Sequence, residues 1–197
     1  MINAPRRILP VVAALCLAAG TSACGSTENA QVGTGEGAYV DINDVAYQVQ
    51  ISRTLNPKLA EDASYLVGLP AGTVQPGPGE EWFAVFLRAQ NFGGSATKLA
   101  TKFRLIDTTD KKYTPIALDT ATNIFTWNPA GQLQPDGLLK PDWIYPPASS
   151  IAGSGPVRQG ALLLFKLSDD VYQNRPLVLE IYDSASVKPA AVISLDL

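Results

Sequence analysis

The chain has 197 residues, with 15 Lys and Arg against 18 Asp and Glu, a net charge of −3, two cysteines, no histidine and 46% hydrophobic residues. This balance indicates one globular domain with a processed or flexible end, and the scattered, outnumbered basic residues exclude nucleic acid as an expected partner. The lack of histidine excludes a Ser-His-Asp triad, a Cys-His dyad and histidine-ligated metal sites.

The first two dozen residues have the pattern of an export signal. Arg6 and Arg7 precede an apolar run over residues 8–19, and small residues follow before Cys24. A positive start, an apolar run too short to span a bilayer and a small-residue cleavage site are typical of a secretory leader. We therefore expect residues 1–23 to be a signal peptide.

The residues around Cys24 resemble the lipobox of bacterial lipoproteins, in which the cysteine is lipidated. The segment reads Thr21-Ser22-Ala23-Cys24-Gly25-Ser26. Leucine is the commonest residue three before the cysteine, so Thr21 keeps ordinary cleavage open as an alternative. Cys16 is set aside because cleavage there would divide the apolar run. The resemblance implies a lipid anchor in the membrane and a location on the outer, extracytoplasmic face of the cell membrane.

Residues 24–37 are expected to be the lipidated cysteine and a flexible tether. Gly25 to Gly37 is rich in Gly, Ser, Thr and Asn and has no hydrophobic period, which is typical of a flexible linker. The folded domain is then expected to cover residues 38–197. Loss of the leader would remove the positive charges of Arg6 and Arg7, changing the net charge from −3 to −5.

Hydrophobic residues in the predicted domain recur with a period of two, which indicates strands with one buried face. The stretch Trp82 to Ala89 is apolar on both faces and therefore predicts a central strand that is covered on both sides. Seven or eight short strands without intervening helices predict an all-β fold, an immunoglobulin-like antiparallel β-sandwich. The alternating sets are Val45, Tyr47, Val49 and Ile51; Leu99 to Leu105; Ala161 to Leu167; Leu177 to Ile181; and Ala191 to Leu195.

One short helix and two long proline-rich loops complete the prediction. Asn56-Pro57 can begin a helix, Gly68 can end it, and Leu59, Ala63 and Leu66 have helical spacing. The loops cover residues 69–80 and 128–156.

Together these features resemble the telokin-like, immunoglobulin-fold lipoproteins of actinobacteria. The resemblance depends on the leader and tether, the tyrosine-bearing first strand, Asn91-Phe92-Gly93-Gly94, the Phe103 to Asp107 strand and the Gly160 to Leu167 strand. It covers residues 38–197 and implies the fold and location; the family has no assigned biochemical activity.

No residue pattern predicts catalysis, a cofactor or a metal, so we expect a protein that is not an enzyme. The close acidic pairs are Asp107 with Asp110, Asp169 with Asp170 and Glu80 with Glu81. Each lies beside a predicted turn and falls short of the six or so oxygen ligands that calcium requires. We interpret them as solvated turn residues.

The loop aromatics Trp127, Trp143 and Tyr145 are the candidate binding residues. Exposed, they could stack on sugar rings or anchor a protein interface; buried, they would pack the loops onto the core, which we favour. The chain is thus expected to be a non-enzymatic binding or interaction module at the cell envelope. The alternative is a carbohydrate-binding or peptidoglycan-binding module, so the partner is an unidentified envelope protein or a glycan.

Overall fold

The computed structural model describes residues 30–154, 159–183 and 186–195. Ten strands lie in this part of the chain: β1 Gln31–Gly33, β2 Tyr39–Ile42, β3 Val45–Leu55, β4 Glu80–Asn91, β5 Lys102–Ile106, β6 Lys112–Tyr113, β7 Ile144–Tyr145, β8 Ala161–Ser168, β9 Leu177–Tyr182 and β10 Ala191–Leu195. The helices are α1 Ala60–Tyr65, α2 Pro129–Gln132 and α3 Ile151–Ser154, and a 3₁₀ turn covers Asp169–Tyr172.

The strands form two sheets, which confirms the predicted β-sandwich. The first sheet has the order β1-β10-β9-β5-β6. In the second, β2, β3 and β4 are neighbours, and the far side of β4 pairs first with β8 and then with β7. All pairs are antiparallel except β1 with β10, which is parallel.

The main core lies between the two sheets. The inward side chains come from alternate positions of each strand, as the period of two predicts. In β8 the buried inward residues are Ala161, Leu163, Phe165 and Leu167, and they meet Leu179 and Ile181 of β9 within one cluster. The predicted alternation of β8, β9 and β10 is therefore confirmed.

A second hydrophobic cluster covers the outer face of the second sheet. Trp82, Ala84 and Phe86 of β4 point into it, together with Leu162 and Leu164 of β8. Helix α1 and the chain around Leu118 cover this face, and Tyr65 packs edge-on against Phe86 at 5.1 Å between ring centroids. The cluster explains why β4 is apolar on both faces, and that prediction is confirmed.

A β-bulge in β3 changes one predicted face. The register with β4 shifts between Val49 and Ile51, so Val49 lies in the main core while Ile51 packs against the second cluster. The prediction that Ile51 shares the face of Val45, Tyr47 and Val49 was wrong because a bulge adds one residue and reverses the side-chain alternation.

Helix α1 lies where the sequence predicts it, but with a different buried face. Asn56 accepts a hydrogen bond from the Lys58 amide at 3.1 Å, and Gly68 has a positive φ of 77°. Leu59, one of the three apolar residues at helical spacing, is 56% exposed, whereas Tyr65 and Asp62 are buried. The Asp62 carboxylate binds the Arg53 guanidinium at 2.6 Å, which ties α1 to β3.

The first strand lies inside the segment predicted to be a tether. Residues Gln31–Gly33 pair with Ala191–Ile193 of β10, so the sheet begins at Gln31 rather than near Ala38. Gly33 fits closely here, because a Cβ atom on it would lie 3.2 Å from Val40 and 3.3 Å from Ile193. Such a short strand carries no period that the sequence could show.

Candidate binding groove

Of the three candidate aromatics, Tyr145 lies in the main core and Trp127 packs against it. Tyr145 of β7 is fully buried, and its hydroxyl accepts a hydrogen bond from the Asn128 amide at 2.9 Å. Trp127 is half-buried; its ring stands edge-on to Tyr145 at 4.8 Å and to Phe103 at 5.4 Å. Its indole N–H donates to the Ala100 carbonyl at 2.8 Å. Trp127 therefore holds its loop against the sandwich.

Trp143 lies apart from these two residues and is 46% exposed. The Lys140 ammonium is 4.9 Å from the centre of its ring. Because Tyr145 is buried and Trp127 is packed edge-on against its neighbours, the three aromatics do not form one flat surface. Of the three, Trp143 alone is exposed.

Buried tyrosines near this site stay protonated. Burial raises the pKa of Tyr47 to about 12, and the Ala100 amide donates to its hydroxyl at 2.8 Å. Burial also raises the pKa of Tyr145 well above its usual value. Neither phenol can act as a base near neutral pH, so their contribution is packing and hydrogen bonding.

A groove runs along one side of the sandwich, where β5 of the first sheet faces β8 of the second. It consists of two adjoining cavities of about 390 and 310 Å³ that share Thr101, and we call them together the side groove. Each reaches the range of volumes typical of small-molecule sites. The larger cavity is lined by Lys102, Phe103, Ile116, Trp127 and Leu162 among others.

The edge of β8 that borders the side groove is already paired. The Ile116 amide donates to the Leu164 carbonyl at 2.7 Å, and the Leu162 amide donates to the Phe125 carbonyl at 2.7 Å. The Trp127 amide donates to the Leu162 carbonyl at 2.9 Å. Two loop segments thus satisfy the outward backbone groups of β8.

The edge of β5 is only partly paired. Strand β6 covers Leu105 and Ile106, and it ends at Tyr113. Extending this register places Phe103 opposite Pro115, which has no N–H to donate. Among the described residues, no hydrogen bond from another segment meets the outer edge of β5 at Phe103.

The direction of the Phe103 backbone groups follows from strand alternation. The Asp107 amide donates across the hairpin to Lys111 at 3.2 Å, so every second residue before Asp107, including Phe103, points its N–H and C=O to the same side. On β9 the Ile181 carbonyl accepts from Ala190 at 2.8 Å and therefore points away from β5. Both observations direct the Phe103 backbone groups into the side groove.

Positive side chains flank this edge. Lys102 lies 4.4 Å above the Tyr182 ring, and Arg104 binds the Glu180 carboxylate at 2.6 Å. Neither Lys102 nor Lys112 forms an ion pair within the described residues. The residues that line the larger cavity include Lys102 and no acidic residue.

Asp107, interpreted from the sequence as a solvated turn residue, is instead 4% exposed. Its Oδ1 atom accepts hydrogen bonds from the Thr109 amide and hydroxyl and from the Lys111 amide, at 2.6 to 3.1 Å. Burial opposes its ionisation, but these hydrogen bonds outweigh burial and lower its pKa. Asp107 thus shapes the β5–β6 turn. Within the described ranges, no three His, Cys, Asp or Glu side chains are placed to hold a metal ion.

Cys24 and the signal peptide lie outside the described residues. No helix in the described part of the chain is long and apolar enough to cross a bilayer.

Comparison with known proteins shows similarity of fold only. No protein-family model matches the chain, and no curated protein matches it. Among solved structures, an uncharacterized β-sandwich protein from Clostridium difficile 630 has 11% identity and a TM-score of 0.42, covering 84% of this chain and 94% of its own. The yjhA protein of Bacillus subtilis has 9% identity and a TM-score of 0.45, covering 83% and 99%. A conserved hypothetical protein from Bacillus anthracis has 10% identity and a TM-score of 0.44, covering 77% and 91%.

Sequence reasoning found Trp127 but missed the side groove. The open edge depends on where β6 ends and on which loop covers β8, and neither follows from side-chain alternation. The one local indication is Pro115, two residues after β6, which interrupts pairing.

Proposed function

We propose that this protein is a lipid-anchored, non-enzymatic binding module at the outer face of the cell membrane, and that the side groove is its binding site. The open backbone edge of β5 beside a cavity of about 390 Å³ is the observation that carries the proposal. Unpaired strand edges are places where proteins accept partners. The telokin-like lipoprotein resemblance belongs to the same proposal.

The anchor is supported by the leader pattern and by the position of β1. Only residues 25–30 separate Cys24 from Gln31, the first residue of the sheet. Fully extended, seven residue steps span at most about 24 Å. A lipidated Cys24 would therefore hold the sandwich close to the bilayer, where an envelope partner would be found.

Metabolic labelling with a fatty acid tests the anchor. The wild-type protein should incorporate the label, and Cys24→Ala should abolish it because the sulfur that would accept the lipid is lost. Cys16→Ala, which lies in the leader, is the matched control and should remain labelled. Label retained in Cys24→Ala, or absent from the wild type, would contradict the anchor.

The carbohydrate alternative is tested on the same protein. Titration with soluble peptidoglycan fragments should leave the tryptophan fluorescence unchanged if the side groove binds protein segments. A saturable change that Trp143→Ala removes would instead favour glycan binding at the exposed ring.

A further inference from the structure

We propose that the side groove binds an extended peptide with alternating apolar and acidic residues, added as a strand to the open edge of β5. This inference deepens the proposed function and rests on it, because it names the class of ligand for the same groove. The argument has three parts: the backbone groups that are available, the space beside them and the charge around them.

The available backbone groups are those of one residue of β5. Phe103 points its N–H and C=O away from β9, because it lies on β5 and shares the alternation of Asp107. At Leu105 the same edge is taken by Tyr113 of β6. A peptide strand placed beside Phe103 would continue the line of β6 and satisfy the open edge, as in other cases of strand addition.

The space beside this edge fits the apolar side chains of such a strand. Neighbouring strands place directly opposite residues on the same face. Side chains aligned with Phe103 would therefore enter the larger cavity, whose walls include Ile116, Trp127 and Leu162. Its volume of about 390 Å³ accommodates more than one valine-sized group.

The charge favours acidic residues at the alternate positions. Side chains on the other face of the added strand would lie beside Lys102, whose ammonium forms no ion pair among the described residues. Lys112 lies on the neighbouring strand β6, and Lys98 lines the smaller cavity. Asp136 is the acidic residue of that cavity, and its Oδ1 already accepts from the Leu138 amide at 3.1 Å.

A synthetic peptide tests the proposal directly. The probe is acetyl-Glu-Val-Glu-Val-Glu-Val-Glu-amide with a fluorescent label, titrated against the full protein, with its lysine-for-glutamate version as the charge control. The acidic peptide should bind and the basic one should bind at least about tenfold more weakly. Equal binding of both, or none by the acidic peptide up to about 1 mM, would overturn the proposal.

N-methylated peptides and amide hydrogen exchange test whether the peptide backbone pairs with β5. Strand addition uses one edge of the peptide, so N-methylation of the valine amides and N-methylation of the glutamate amides should affect binding unequally, with one version inactive. Hydrogen exchange of the Phe103 amide should slow when the peptide binds. Binding that leaves this amide unprotected, or two methylated peptides that bind alike, would contradict strand addition.

Two protein variants locate the site. Ala117 is exposed and lines the larger cavity, whereas Ala121 is exposed in the same loop and is not among its lining residues. Ala117→Trp should weaken binding about tenfold or more by filling the cavity, and Ala121→Trp should leave it unchanged. Both are surface substitutions, so their unfolding curves should match the wild type. Equal effects on binding would place the peptide elsewhere.

Charge is tested by reversal at one lysine. Lys102→Glu should weaken binding of the acidic peptide by about threefold to tenfold, while Lys188→Glu, the same change on the β9–β10 connection, should not. Peptidoglycan fragments and anionic vesicles serve as competitors, and displacement of the peptide by either would reassign the groove. Fatty-acid labelling of Cys24 is unaffected by these outcomes, so a failed peptide result leaves the anchor standing.

Discussion

Strands β8 and β5 border the same groove, yet one edge is closed and the other is open. The chain around Ile116 and Trp127 returns to β8 and hydrogen-bonds its outward backbone groups. On β5 the covering strand stops at Tyr113, two residues short of Pro115. The difference shows that the opening is local: among the described residues that border this groove, loop segments pair the edge of β8, whereas no segment pairs the outer side of Phe103 on β5.

The largest loss of stability is expected when the side chain that holds the covering loop on β8 is removed. Trp127→Ala should lower the free energy of unfolding by about 3–5 kcal/mol, because it removes a large ring packed against Phe103 and Tyr145. Urea unfolding followed by circular dichroism measures the change.

Trp143→Ala is the control for that substitution. Trp143 is 46% exposed, so its removal should change the free energy of unfolding by no more than about 0.5 kcal/mol. Similar losses in the two variants would show that Trp127 does not hold the loop.

A smaller effect is expected from the amide that shapes the covering loop. Asn123 is 1% exposed; its Nδ2 donates to the Tyr65 and Val67 carbonyls, and its Oδ1 accepts from Phe125 and Thr126 amides at 2.9 to 3.0 Å. Asn123→Ala leaves buried groups unpaired and should cost about 1–3 kcal/mol. Thermal unfolding measures it. The exposed Gln134→Ala should be near neutral, and a neutral Asn123→Ala would refute this role.

The smallest loss of stability is expected at the turn that precedes β6, beside the open edge of β5. Asp107→Asn, at the β5–β6 turn, should cost about 1 kcal/mol at pH 7 because charged acceptors form stronger hydrogen bonds. The folded-state pKa of Asp107 is lowered, so its stabilisation is fully present above the unfolded value of about 3.9 and is lost as pH falls through the folded value.

Unfolding curves at several pH values test the direction of this pH dependence. The difference in free energy of unfolding between the wild type and Asp107→Asn should be constant near neutrality and should narrow below about pH 4. Asp110, exposed in the same turn, offers Asp110→Asn as the matched control, with no such difference expected. A difference that widens in acid would show that the carboxylate destabilises the turn.

The parts of the fold that the sequence predicts are those determined by neighbouring residues. The alternation of β8 and the two apolar faces of β4 are local patterns, and both are confirmed. Ile51 was assigned to the wrong face because a bulge leaves no mark in an alternating pattern. Strand β1 was missed because its three residues are extended only through β10, a distant part of the chain.

The candidate site shows the same division. Composition singles out Trp127, Trp143 and Tyr145, but burial depends on where each loop meets the sheets, and this separates Tyr145 in the core from Trp143 in solvent. The open edge at Phe103 arises from the absence of a neighbour, which no residue type at that position can indicate.

The parallel pairing of β1 with β10 also has a mechanical consequence. The chain enters the sheet at Gln31 and runs along β10 to Gly33. A force along the axis of β1 would load the hydrogen bonds between β1 and β10 together in shear, rather than peel them one by one. If Cys24 carries the proposed anchor, a load between that anchor and the sandwich passes through this short strand.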